Sequence, residues 1–169
     1  DPNASTLYKI GIVARIRQVL RLPGDNVRVL VEGLYRAKLT DIVETEPYYV
    51  ANIRECISRP VVDNVRVQAL LRECRSSFDN YAALAPKISP DVMLGVTASD
   101  SLAHLSDYIA SNILLSPEEK QQLLETLDPE KRIEKLIIIL EREISILSVE
   151  QEIHKRVHEQ IDQNQNEFY

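Results

Sequence analysis

Residues 130–169 contain neither glycine nor proline, and a helix-start signal stands directly before them. Asp128-Pro129-Glu130 supplies an N-cap acceptor, a proline at the first helical position and an acidic first turn. Forty residues at 1.5 Å each make a rod of about 60 Å, whereas helices in globular domains usually run about 8–20 residues. The apolar residues thin out along the rod. Leu136, Ile137, Ile139, Leu140, Ile144 and Leu147 give the first part a wide apolar face. Beyond them one narrow line remains: Ile146, Val149, Ile153, Val157 and Ile161. The first half is therefore expected to pack on a domain and the second half to leave it, toward another domain or another copy. The spacings in that line are 3, 4, 4 and 4, longer on average than 3.6, so it drifts around a straight helix and makes no long left-handed heptad seam.

The start of the chain has a different period. Ile10, Ile12, Ala14 and Ile16 alternate with Lys9, Gly11, Arg15 and Arg17 across Val13, and Val27, Val29 and Val31 alternate with Arg28, Leu30 and Glu32. Period two is that of half-buried strands. Pro23-Gly24-Asp25-Asn26 between them reads as a turn, so a long hairpin is predicted. Gly33 marks a bulge or bend, after which Leu34 to Glu44 reads as a third strand and Tyr48 to Arg54 as a fourth. From Asp63 the period becomes helical. Val67, Leu70, Leu71, Cys74, Phe78, Tyr81 and Leu84 form one stripe ending at Pro86; a short helix opens at Ser89-Pro90-Asp91 and closes near Gly95. Leu102, Leu105, Ile109 and Ile113 make a third helix, and Ser116-Pro117-Glu118-Glu119 a capping box for a fourth. Strands first and helices second imply an α+β fold, divided into a β-lobe (1–57), a helical lobe (61–127) and the long helix (128–169).

The net charge of −6 is uneven: residues 1–57 sum to about +1 and residues 58–169 to −7. An acidic helical part argues against phosphate-backbone binding. No run approaches the roughly 20 apolar residues of a membrane span. Cys56 and Cys74 have no metal spacing and fit a reducing compartment such as the cytoplasm, with an organelle matrix left open. The chain opens on Asp with no targeting segment and is expected to be a piece of something larger.

Four glycines cannot hide a phosphate loop or a dinucleotide fingerprint, and no GxSxG elbow occurs. His154 and His158 share a helix face at metal-ligand spacing. The intervening residues lack the Glu of a zinc-protease helix and no third ligand is evident, so they read as solvated histidines. His104 reads as a boundary residue. Ser116 and Lys120 are one turn apart, but Ser116 is better explained as a cap than as a nucleophile. No catalytic, metal or cofactor residue is therefore expected.

One set of motifs is more specific. Gly11-Ile12-Val13-Ala14-Arg15-Ile16, Leu20-Arg21-Leu22-Pro23-Gly24 and Val27 to Ala37, reading VRVLVEGLYRA, resemble the amino-terminal domain of the ATP-dependent Lon proteases. The segment from Glu143 to Leu147, with Glu150 and Gln163 to Tyr169, resembles that family's helix leading to its ATPase module. The resemblance implies a partly closed, PUA-like barrel, here incomplete because the family's earlier strand-rich stretch is not among these residues, with an open edge. It implies a non-catalytic region that recognises unfolded or damaged proteins and sets hexamer assembly. The ATP, magnesium and serine–lysine peptidase chemistry would belong to a parent protein. Recognition of many sequences needs exposed apolar surface. Leu20, Leu22 and Pro23 at the hairpin tip, with Leu34 and Tyr35 beyond Gly33, are the candidate substrate-binding residues; for Leu34, packing beneath the helical lobe is the stronger expectation. Ile146, Val149, Ile153, Val157 and Ile161 are the candidate assembly and transmission residues, through which the long helix would self-associate. The alternative is a nucleic-acid-binding PUA-like module using Arg15, Arg17, Arg21, Arg28 and Arg36, of which Arg15, Arg17 and Arg21 would share a face if alternation is unbroken.

Overall fold

The structure, a computed structural model, describes residue 3 and residues 5–85 and 87–168. The helix stop at Pro86 and the terminal Tyr169 lie outside the described residues. Two compact units form: Asp1–Arg59 with Lys120–Leu127, and Pro60–Glu119 with Asp128–Tyr169.

The first unit is an open antiparallel sheet in the order β1-β2-β3, with β1 Ile10–Leu22, β2 Asn26–Glu44 and β3 Val50–Glu55. Three strands stand among the described residues where the sequence suggests four. The ladder runs Val13↔Tyr35 and then Ala14↔Gly33, so Leu34 is an extra residue on a single 19-residue strand. A bulge absorbs one residue and keeps the strand going, which is why Gly33 does not divide it. A second irregularity leaves Arg17 extra between Ile16↔Val31 and Gln18↔Leu30. Residues 120–127, grouped by sequence with the helical lobe, belong to the sheet unit. Gln121 Nε2 donates to the Ile10 carbonyl at 3.0 Å and Arg36 Nε to the Leu124 carbonyl at 2.8 Å. The small core of this unit holds Ala37 and Leu123.

The second unit is helical: α1 Val65–Leu84, α2 Pro90–Ala98, α3 Leu102–Asn112, the first turn of α4 Pro117–Glu125, and α5 Pro129–Glu167. Asn64, Ser89, Ser101 and Asp128 each cap a helix through a side-chain oxygen that accepts from the first turn, satisfying N–H groups the helix cannot. Phe78, Leu105, Ile109, Ile133, Leu136 and Leu140 are sealed from solvent. Each such burial contributes about 1.5–3 kcal/mol. Burial also pushes the Cys74 thiol up to about 12, which makes it inert; Cys56 is a half-buried free thiol.

Helices α1 and α5 run parallel. Arg66 pairs with Glu130 and Glu134, and eleven residues further along α1, Ser77 Oγ donates to Glu141 Oε1 at 2.7 Å. Arg132, almost fully buried, lies 3.4 Å from Asp107 on α3. Arg142 reaches Glu119 at 2.8 Å on α4, and that hydrogen bond holds the Glu119 carboxyl below its ordinary value. Helix α1 ends at Leu84, beside Leu147, Glu150 and His154 of α5. From Ser148 onward every described residue of α5 is exposed. The long helix loses its partner where α1 stops.

Helix α2 does not close at Gly95, as its glycine suggests, but runs through to Ala98. A Cβ at Gly95 would overlap the ring and hydroxyl of Tyr108 on α3, so the glycine is there for close helix approach. Gly95→Ala should lower stability by about 1–3 kcal/mol despite alanine's better helix propensity. In a Tyr108→Ala background the same change should become neutral or stabilising. Urea unfolding of the four proteins checks the sign change.

Candidate functional site

The β1–β2 hairpin is the part of the molecule whose apolar side chains are not used in a core. Residues facing each other across an antiparallel ladder lie on the same face of the sheet, so the register assigns every side chain. One face carries Ile12, Ala14, Ile16, Val19, Val27, Val29 and Val31, with Arg21 near the tip and Arg36 at the far end. The other carries Val13 with Tyr35, Arg15 with Glu32, Gln18 with Leu30, Leu20 with Arg28, and Leu22 with Asn26. Pro23-Gly24-Asp25 closes the turn. Gly24 has φ +80° and Asp25 φ +58°, the left-handed conformations that glycine tolerates freely and aspartate better than most residues.

The sequence-derived substrate candidates divide on this frame. Leu20, Leu22 and Tyr35 share the mixed face, at 44%, 38% and 39% exposure. Pro23 is exposed in the turn. Leu34 sits at the bulge as the residue without a ladder partner and is 44% exposed. The larger apolar surface is the other face. Ile12, Ile16, Val19, Val27, Val29 and Val31 are all exposed there and form one continuous β-branched patch. Sequence reasoning used these residues only to define strands. Alternating valines carry the same signature whether they face a core or solvent.

The basic cluster does not assemble. Arg15 pairs with Glu32 and Arg21 with Val27, and residues 27 and 32 point to opposite faces of an unbulged stretch. Arg15 and Arg21 therefore lie on opposite faces, because Arg17 as an extra residue breaks the alternation. Arg17 Nε donates to Glu32 Oε2 at 2.6 Å, so that carboxylate neutralises Arg17. This arrangement lacks the continuous cationic stripe that nucleic-acid binding requires.

The remaining sequence candidates have plain structural roles. Ser116 Oγ accepts from the Glu119 N–H at 3.2 Å as a helix cap. His104 Nδ1 lies 2.6 Å from the Ser99 Oγ and its ring stacks on Tyr108; Ser99 is buried, where a nucleophile could not meet substrate. Among the described residues no three His, Cys, Asp or Glu side chains gather into a metal cage, and no helix is long and apolar enough to cross a membrane. Ile146, Val149, Ile153, Val157 and Ile161 lie along the free half of α5, 43–55% exposed.

Comparison with known proteins is consistent along the chain. A family model described as the ATP-dependent protease La (LON) substrate-binding domain matches residues 1–142. The Lon protease of Heliobacterium modesticaldum is 40% identical over all 169 residues, and that of Brevibacillus choshinensis 38%. The chain spans about a fifth of the length of these curated relatives, 21% and 22%. The solved N-terminal domain of Mycobacterium avium complex Lon protease shares the fold with a TM-score of 0.65, at 23% identity, over 81% of this chain and 70% of that one.

Proposed function

We propose a role from one premise: this chain belongs to the Lon protease substrate-binding domain family. Its sheet unit engages unfolded or damaged polypeptide through exposed apolar side chains, and its helical unit passes the load along α5 toward ATPase and serine–lysine peptidase modules of a larger cytoplasmic protein. ATP and magnesium act in those modules and not here. The free stripe of α5 contributes to self-association within a hexamer. The single observation that carries this reading is the hairpin, whose leucines, valines and isoleucines stay exposed on both faces. A surface of this kind recognises what misfolded chains have in common, exposed hydrophobic side chains, and needs no shared sequence motif.

The hairpin tip is the place to test it. Leu22→Ser combined with Pro23→Ser should weaken binding of a denatured model protein several-fold, read by fluorescence anisotropy, while moving the unfolding midpoint little. Loss of several kcal/mol of stability would instead make these side chains structural. The chain alone should hydrolyse neither ATP nor peptide. ATPase activity that co-purifies with the chain and disappears on a substitution within it would overturn the non-catalytic assignment.

A further inference from the structure

Glu150, His154, His158 and Asp162 stand one helical turn apart in a single row on the exposed half of α5. The His154 and His158 rings approach to 4.3 Å between centroids, edge to face. Both are exposed, and among the described residues neither makes a hydrogen bond or an ion pair. The two carboxylates that bracket them are likewise without such a partner among the described residues. Four chemically capable side chains are thus aligned: Glu150 and His154 line the cleft beside Leu84, and His158 and Asp162 continue the row beyond it.

We propose that His154 and His158 form a two-imidazole chelate for a divalent transition metal of the class imidazole prefers: zinc, copper or nickel. Metal–nitrogen bonds of about 2.0–2.1 Å place two ligand nitrogens roughly 3.3 Å apart around a tetrahedral ion. Rings already 4.3 Å apart reach that separation by side-chain rotation alone. The helix supplies the spacing, so the backbone needs no rearrangement. Imidazole donors select this class over magnesium and calcium, which demand oxygen. Glu150 and Asp162 can accept the N–H of the ring nitrogen that the metal leaves free, the usual outer partner of a metal-bound histidine. Water completes the coordination, so the site is open and weaker than a four-ligand structural centre. The zinc-protease arrangement, with its glutamate between the histidines and a third protein ligand, is not what this row offers. Its chemical effect is mechanical: the chelate ties consecutive turns of a helix segment that no neighbouring helix supports, and a ligand that binds only the helical form stabilises it.

The test is calorimetric titration of ZnCl2 and NiCl2 into the whole chain, free of any histidine tag, in a Cys56→Ser background that removes the half-buried thiol. About one equivalent should bind, reversibly to EDTA, and amide exchange around residues 154–162 should slow in its presence. His158→Ala should weaken binding at least tenfold. So should the swap His158→Glu with Glu159→His, which keeps composition and helix-forming residues but moves the second imidazole off the row. His104 stays in every variant as an internal control. Equal binding by the swapped protein, no heat with either metal, or equal binding of MgCl2 would each overturn the proposal.

Discussion

Phe78→Ala should destabilise the helical unit by about 3–5 kcal/mol, a large fraction of the 5–15 kcal/mol by which whole domains are stable. The ring is fully buried and tilted against Tyr81 at 6.4 Å between centroids, with Leu136 and Leu140 of α5 sealed in the same core. Removing it leaves a cavity that the surrounding helices cannot collapse into without breaking the Arg66 pairs and the Ser77–Glu141 bond that set the α1–α5 register. Ile153→Ala, on the same helix but past the end of α1, should cost under about 1 kcal/mol, because the side chain is already 55% exposed. Urea unfolding of the two variants side by side measures the contrast. Equal losses would mean that the distal stripe is buried in solution, against another copy of the chain, and the dependence of the midpoint on protein concentration would then reveal it.

The second large effect concerns the rod. Gln151→Gly with Lys155→Gly removes about 1 kcal/mol of helix preference at each site, at positions outside both the apolar stripe and the histidine row. In the packed half of α5 buried neighbours would compensate; from Ser148 onward every described residue is exposed and only the end of α1 at Leu84 lies near. The altered helix should bend or fray where it leaves α1. In a full-length protease carrying this domain, ATP hydrolysis should persist while degradation of stably folded substrates falls several-fold more than that of unfolded ones. A soft connection transmits no pulling force, but an unfolded chain needs little. Unchanged degradation of both substrates would make the rod a tether and nothing more.

Much of the architecture was legible in the residues themselves. The helix stripe Val67, Leu71, Cys74, Phe78 and Tyr81 is the buried face of α1, and Leu102, Leu105 and Ile109 that of α3. The N-caps at Ser89 and Asp128 stand where the sequence put helix starts, since capping is satisfied within one turn and needs no distant partner. The thinning of apolar residues after Leu147 predicted the exposed half of α5. The run from Gly11 to Ala37 resembles the family residue by residue, and the family model covers it.

Three things were decided only in three dimensions. Gly33 signalled the bulge at Leu34, but the one at Arg17 and the continuity of β2 depend on how one strand registers against another, and a one-residue shift reverses which face each later side chain takes. That is why four expected strands became three and why Arg15 and Arg21 separated. Gly95 looked like a helix stop until Tyr108 was seen lying against it, a contact between residues thirteen apart in sequence. Last, the exposure of Ile16, Val19, Val29 and Val31 could not be read from alternation, because a period of two says that a strand has two different faces and not what, if anything, covers either one. Local periodicity and capping are properties of a few consecutive residues, so this sequence alone determined the helices and the hairpin. Register, close approach and cover are properties of pairs of segments, and only the tertiary structure supplied them.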